Sequence, residues 1–309
     1  MHFEIANGHF EPKTTGMKDM KDALMKAIGD IQKRHDRPGT LTGLSTGFKA
    51  LDSLTDGLHG GELFVIAGEP SAGKTALAMN MAEDIAVNKG RAVALFSLGM
   101  NCQQLVPRFL CSVAHVNLAN VRQGSLSECN FPALVAAAAK LAAAKVFIDD
   151  TSGLSIIKLS ENARCMKSQH NIQAIFIDYL ELVRSTSSRA CSDREEEIAE
   201  ITAALKALAM ELNVPIVVLA QLNRNPDARS VDGKGRPHTS DLPRCGSIEQ
   251  HADILALLVR EESTTETGQQ NEDAGEKATL IIAKQRNGPI GEVPLTFRKE
   301  YSRFATAAA

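Results

Sequence analysis

Apolar residues recur along this chain with two different periods. Between Met17 and His35 the segment MKDMKDALMKAIGDIQKRH sets Met20, Leu24, Ile28 and Ile31 at three- and four-residue steps among charged neighbours. That spacing predicts one amphipathic helix with a single apolar stripe. The stripe packs either on its own domain or on a neighbouring subunit, and the pattern does not choose between them. Arg37-Pro38-Gly39-Thr40 then breaks the helix and makes a short linker, so 17–40 reads as linker helix plus linker. Residues 1–16 show neither period and read as a flexible tail, as do 305–309.

From Leu41 onward the chain alternates. Apolar, β-branched runs at 63–67, 92–97, 145–149, 174–178, 215–220, 252–259, 278–284 and 292–297 predict strands, and helical patterns at 75–89, 101–114, 131–143, 155–169 and 194–212 fall between most of the earlier ones. Strands that are apolar throughout, separated by helices, predict an α/β domain over 41–304: a mostly parallel twisted sheet covered by helices on both faces. The last two strands lie close together and are expected to form an antiparallel edge. Polar stretches at 184–193, 224–240 and 261–277 read as loops.

Composition narrows the function classes. A formal net charge of -3 means that any nucleic-acid contact has to come from local patches rather than from a basic protein as a whole. No Trp and only 2 Tyr argue against a surface of aromatic base-stacking platforms. The six cysteines (102, 111, 129, 165, 191 and 245) form no CxxC pair and no cluster at metal spacing, which suits a reducing, cytoplasmic setting. The opening MHFEIANGHFEPK lacks the character of a secretion signal, and no apolar run approaches the roughly 18 residues of a membrane span.

The chemistry is concentrated in Gly68-Glu69-Pro70-Ser71-Ala72-Gly73-Lys74-Thr75, which fits GxxxxGK[ST], the Walker A loop. A predicted strand precedes it and a predicted helix follows. The Gly68, Ser71, Ala72, Gly73 and Ala76 backbone lets amides approach phosphates, and the helix N-terminus favours an anion. Lys74 is expected to reach the β- and γ-phosphates of ATP, and the Thr75 hydroxyl to ligate Mg²⁺. A second metal-side group is needed. Two strands end in an aspartate, Asp178 in AIFID and Asp149 in VFID, and a carboxylate so placed is costly unless water, metal or a cation meets it. On the residues alone both remain open as the Walker B position.

The segments TGFKALDSLTDGLHGGELFVIAGEPSAGKTALAMN (46–80), FSLGMNCQQL (96–105), IDDTSGLSI (148–156), IDYLEL (177–182), LAQLNR (219–224), GSIEQHADI (246–254) and IIAKQRNGPIGEVPLTF (281–297) resemble, in order, the motor domain of DnaB-type replicative DNA helicases. The resemblance covers about residues 17 to 304. It implies a RecA-like P-loop ATPase core, assembled as a hexameric ring that moves along single-stranded DNA, 5′ to 3′, and works with a loader or primase. It also assigns Asp178 to the metal. Gln221 resembles the residue that senses the γ-phosphate. Lys284 and Arg286 resemble a pair inserted into the neighbouring subunit's ATP site, where positive charge stabilises the transition state. The 17–35 helix resembles the linker helix that docks on an adjacent subunit. DNA contacts are expected from Arg184, Arg189 and Arg194 in one loop and from Lys234, Arg236, Arg244 and Gly246 in another, all to the phosphate backbone.

Departures from the family pattern carry consequences of their own. Gly99 in SLGM stands where the family usually has the Glu that polarises the attacking water, so the principal general base is absent. Without a base, hydrolysis falls by roughly two to four orders of magnitude while nucleotide binding survives. Glu181, where the family usually has Gln, is a weaker candidate for that role. Pro107 is expected to kink or shorten the helix after SLGM, at about 3 kcal/mol if the helix stays regular. Pro243 and Arg244 stand where the family commonly has Arg and Glu, which removes one expected DNA contact and leaves Arg244 to compensate in part. The collar domain that binds primase is not expected within this chain, which starts almost at the linker helix. The readings in play are therefore a DNA helicase or translocase, a non-hydrolysing ATP-dependent DNA-binding module, and a recombinase- or clock-type RecA relative.

Overall fold

A computed structural model describes residues 19–36, 39–185, 194–222, 245–260 and 275–307. The chain divides into two units, Met1–Thr40 and Leu41–Ala309. The first contributes α1, Met20–Asp36, close to the predicted span, and its stripe residues Met20, Leu24, Ile28 and Ile31 are exposed.

The second unit is built on one nine-stranded sheet. In chain order its strands are β1 Leu63–Gly68, β2 Val93–Ser97, β3 Val146–Asp149, β4 Ala174–Asp178, β5 Ile216–Gln221, β6 Ile254–Arg260, β7 Glu276–Gln285, β8 Gly291–Arg298 and β9 Arg303–Thr306. They lie in the order β3-β2-β4-β5-β1-β6-β7-β8-β9. The ladders from β3 to β6 are parallel, and those from β6 through β9 are antiparallel. The helices are α2 Lys49–Thr55, α3 Lys74–Glu83, α4 Cys102–Ala114, α5 Leu118–Gln123, α6 Phe131–Ala143, α7 Ile156–His170, α8 Arg194–Leu212 and α9 Cys245–His251.

Why the central strands are apolar at every position is plain from the packing. On β1, Phe64 and Ile66 point into a core shared with Leu77 and Met81 of α3, while Leu63, Val65 and Ala67 point into a second core with Leu159 of α7 and Leu205 of α8. A strand covered on both faces has no position to spare for a polar side chain. The apolar-run reading therefore locates the strands well, each end falling within two residues of its expected place.

The local pattern misses short elements. β9 is four residues long, yet Phe304 is 3% exposed within the first core and its backbone N–H donates to Asn80 Oδ1 at 2.8 Å. One buried aromatic and one side-chain acceptor hold a strand too short to leave a periodic trace. α2, α5 and α9, of 7, 6 and 7 residues, are likewise unannounced. Pro107 is a correction: α4 runs unbroken from Cys102 to Ala114 with the proline inside it. Asn101 caps its start by accepting from Gln104 N, and Leu105 and Phe109 on either side of the proline are buried, so packing holds the helix through the lost hydrogen bond.

A buried carboxylate fixes the start of β1. Asp253, 4% exposed, accepts from Leu63 N at 2.8 Å and Lys206 Nζ at 2.6 Å through Oδ2, and from Arg286 Nη1 at 3.2 Å through Oδ1. Asp253→Ala leaves the largely covered Lys206 ammonium without its counter-charge, with only the Gly61 carbonyl to accept from it, so a loss of about 3 kcal/mol is expected in urea unfolding, with the denaturant slope unchanged. A midpoint within error of the wild type would show that the cluster contributes nothing to stability.

Candidate nucleotide site

The P-loop lies at the C-terminal end of β1, where the strand stops and α3 begins. Ser71 and Gly73 both have positive φ, 66° and 100°. Gly73 is required twice over, since a Cβ there would lie 2.9 Å from Phe304 Cζ. Gly68 pairs with Gln221 across the β1–β5 ladder, and Ser97 with Asp178 across β2–β4, so these parallel strand ends open on one edge of the sheet.

Lys74 folds back over the loop, its Nζ donating to Gly68 O at 2.8 Å and Glu69 O at 2.9 Å. Burial lowers its pKa, opposed by the carboxylates of Glu181, Asp178 and Glu69. Thr75 Oγ1 donates to Asp178 Oδ2 at 2.7 Å. This contact sets Asp178, rather than Asp149, beside the Thr75 hydroxyl. Asp149 is satisfied locally, by Thr151 N at 3.1 Å and Asn162 Nδ2 at 2.8 Å, on the strand at the far edge of the sheet. A hydroxyl and a carboxylate oxygen side by side are the hard donors that Mg²⁺ accepts while keeping water and phosphate ligands, so this pair fits the ion.

Beside the loop is a cavity of ≈ 740 Å³, lined by Ser71, Lys74 and Thr75 on one side. Arg108 of α4, Arg122 of α5, and Arg260 with Lys299 complete a cationic wall. That volume lies within the roughly 300–1,000 Å³ of small-molecule sites, and its charge suits a polyanion. Arg108 and Arg122 were not singled out by the sequence reading. Burial lowers the Arg108 pKa, Arg122 lowers it further, and its Nε is buried without a partner. No local pattern marks Arg108: only the burial of Leu105 and Ser112, one turn to either side, shows that it lies on the inward face of α4.

Of the remaining expected residues the fold brings Gln221 to this edge, as the register partner of Gly68, and the others described lie elsewhere. Gln221, at the exposed end of β5, donates its backbone N–H to Glu181 Oε1 at 2.7 Å. Lys284 and Arg286 are held by their own chain: Lys284 Nζ donates to Glu249 O and, at 3.0 Å, to Ala252 O, while Arg286 Nη2 donates to Gln250 O at 2.6 Å. Arg184 is exposed. Arg194 is engaged by the Glu197 carboxylate and the Glu181 carbonyl. Gly246 is exposed in the first turn of α9. Arg189, Lys234, Arg236 and Arg244 lie outside the described residues. Gly99 carries no functional group, and a Cβ there would meet Tyr179 Cε1 at 3.2 Å and Leu182 Cδ1 at 3.3 Å.

The family described as "DnaB-like helicase C terminal domain" matches residues 43–306. The replicative DNA helicase DnaC of Bacillus subtilis is 40% identical over 292 residues, which cover 94% of this chain and 62% of that protein. The replicative DNA helicase DnaB of Geobacillus stearothermophilus is 41% identical over 289 residues, covering 93% of this chain and 62% of that one. The chain thus spans less than two thirds of the length of these curated relatives. A solved ATPase domain superposes with a TM-score of 0.84 at 30% identity, covering 94% of this chain and all of that one. A DnaB-like replicative helicase, solved in a study of its interactions with primase, gives 0.82 at 29% identity over 94% of this chain and 68% of its own. The fold is accordingly the RecA-like ATPase fold expected from the motifs.

Burial raises the Asp178 pKa, with the Thr75 hydrogen bond and the Lys74 charge pulling it partly back. The folded carboxyl therefore holds its proton to a higher pH than the unfolded one, and stability falls as pH rises through that window. Asp178→Asn removes this cost, so the nucleotide-free variant is expected to be the more stable protein near neutral pH. The difference should vanish below about pH 4, where wild-type Asp is protonated in both states. Urea midpoints across pH test this, and a less stable variant at neutral pH contradicts it.

Proposed function

This chain belongs to the DnaB-like helicase C-terminal domain family, and on that premise we propose that it is the ATP-driven motor of a ring-forming DNA helicase acting in replication. The observation that carries the reading is the Thr75–Asp178 pair beside Lys74, facing a cationic cavity. In this reading Lys74 neutralises the β- and γ-phosphates of ATP, Thr75 and Asp178 hold Mg²⁺, and the backbone of Gly68 and Ser71–Ala76 wraps the triphosphate. Mg²⁺, when bound, neutralises charge on the phosphoryl oxygens.

Lys284 and Arg286 complete a neighbouring subunit's site. A head-to-tail contact that serves each site from the next subunit closes into a ring, a hexamer in this reading, with 17–40 as linker and 41–304 as motor. In this reading Arg184, Arg189, Arg244 and Gly246 contact the backbone of single-stranded DNA, Arg194 joins them only by leaving Glu197 and the Glu181 carbonyl, and primase or a loader joins the assembly in the cytoplasm. Among the described residues no helix is long and apolar enough to cross a membrane.

Gly99 favours a second reading, a non-hydrolysing ATP-dependent DNA-binding module. Steady-state hydrolysis of Mg-ATP, with and without single-stranded DNA, separates the two. The motor reading expects DNA-stimulated turnover that falls at least about 100-fold in Lys74→Ala. Tight nucleotide binding with no turnover would leave the binding module, and no nucleotide binding would sink both.

A further inference from the structure

Hydrolysis of a phosphoanhydride needs a group to orient the attacking water and take its proton. Gly99 offers none. The carboxylates around the P-loop are few, and most are committed. Asp178 accepts from the Thr75 hydroxyl and belongs to the metal side of the site. Asp149 is saturated by Thr151 and Asn162 on the edge strand. Glu300, on the cavity wall, and Glu69, in the P-loop itself, are exposed.

Glu181 differs from all of these. It sits on the one-turn 3₁₀ segment Leu180–Leu182 that follows β4, three residues beyond Asp178. Its two oxygens have unlike surroundings. Oε1 accepts from Gln221 N at 2.7 Å, and Gln221 is the register partner of Gly68, the first residue of the P-loop. Oε2 is buried and has no hydrogen-bond partner. The carboxylate is thus oriented through one oxygen while the other is left unused, a costly arrangement in a purely structural glutamate. Burial lowers the Lys74 pKa, and Glu181 is among the carboxylates, with Asp178 and Glu69, whose charge opposes that shift. The flanking residues Tyr179 and Leu182 line position 99, so the turn that carries Glu181 borders the place where a side chain is missing.

Resting on the ATPase reading above, we propose that Glu181 is the general base of this site, positioned through Oε1 and taking the proton of the attacking water on Oε2, which is closed to solvent here and has to turn toward that water. The water oxygen forms a bond to the γ-phosphorus as the bond from that phosphorus to the β,γ-bridging oxygen breaks. The electron pair leaves with ADP, the water proton passes to Glu181, and inorganic phosphate is the second product. Arg194, which donates to the Glu181 carbonyl, and Leu180, buried beneath the turn, hold the segment in place. Both are positioning residues.

Glu181→Gln isolates the proposal, because the amide oxygen still accepts from Gln221 N–H while proton acceptance is lost. On the full chain with Mg-ATP and single-stranded DNA, kcat is expected to fall by about 100-fold or more. The Kd of a fluorescent non-hydrolysable ATP analogue should change by less than roughly threefold, as expected when only the chemical step is touched. Glu181→Asp, which keeps a carboxylate, should retain more turnover than the Gln variant. Turnover in Glu181→Gln near the wild-type rate overturns the assignment while leaving the ATPase reading intact. Equal losses of turnover in the Asp and Gln variants, matched by equal losses of nucleotide affinity, mean a structural role and also overturn it. A wild type that binds the analogue but never hydrolyses ATP removes the base along with the motor and keeps the nucleotide site.

Discussion

The complete burial of β1 is the constraint on which the rest of the site depends. With β5 on one side, β6 on the other and a helical layer on each face, β1 cannot carry a polar side chain anywhere along its length. Its polarity is therefore discharged at its two ends. At the start, Asp253 answers the Leu63 amide and draws Lys206 and Arg286 with it. At the finish, the backbone opens into the P-loop, which Lys74 crosses to reach the Gly68 and Glu69 carbonyls. A rigid, apolar strand between two polar termini is a good mount for a phosphate site, because the loop cannot shift without disturbing the core beneath it.

Charge at the site is unbalanced in a way that suits a polyanion. Lys74, Arg108 and Arg122 are drawn together, and burial holds the pKa of Lys74 and Arg108 below their ordinary values. Opposite them, burial pushes the Asp178 and Glu181 carboxyls up. Neither set is at ease alone. Stability has been given up here for a surface that is complementary to a ligand rather than to itself.

Much of this was legible in the sequence, for reasons that differ from part to part. Fully buried strands betray themselves as unbroken apolar runs, and the P-loop is a short motif whose glycines and lysine have few other uses. Asp178 and Asp149 looked alike because each ends the same kind of strand, and strand order, which no local pattern encodes, separates them: β4 lies beside β5, whereas β3 is the edge. Arg108 needed knowledge of which face of α4 is buried, and Pro107 beside it argued against a regular helix at all. β9 depends on one phenylalanine reaching a core assembled from distant segments. Glu181 was visible as a residue, but the unlike fates of its two oxygens arise only when β5 brings Gln221 against it.

Lys284 and Arg286 sit where the last carbonyls of α9 would otherwise lack partners, so they act as that helix's C-terminal cap. A cation that serves these carbonyls and an external anion in turn links the two occupancies. Any anion that draws the pair away loosens the end of α9, and anything that loosens α9 raises the affinity of the pair for that anion. The two effects are equal in free energy, whichever side is perturbed first. In the thermodynamic sense, the end of α9 and any anion that these two side chains take up are a single reversible element.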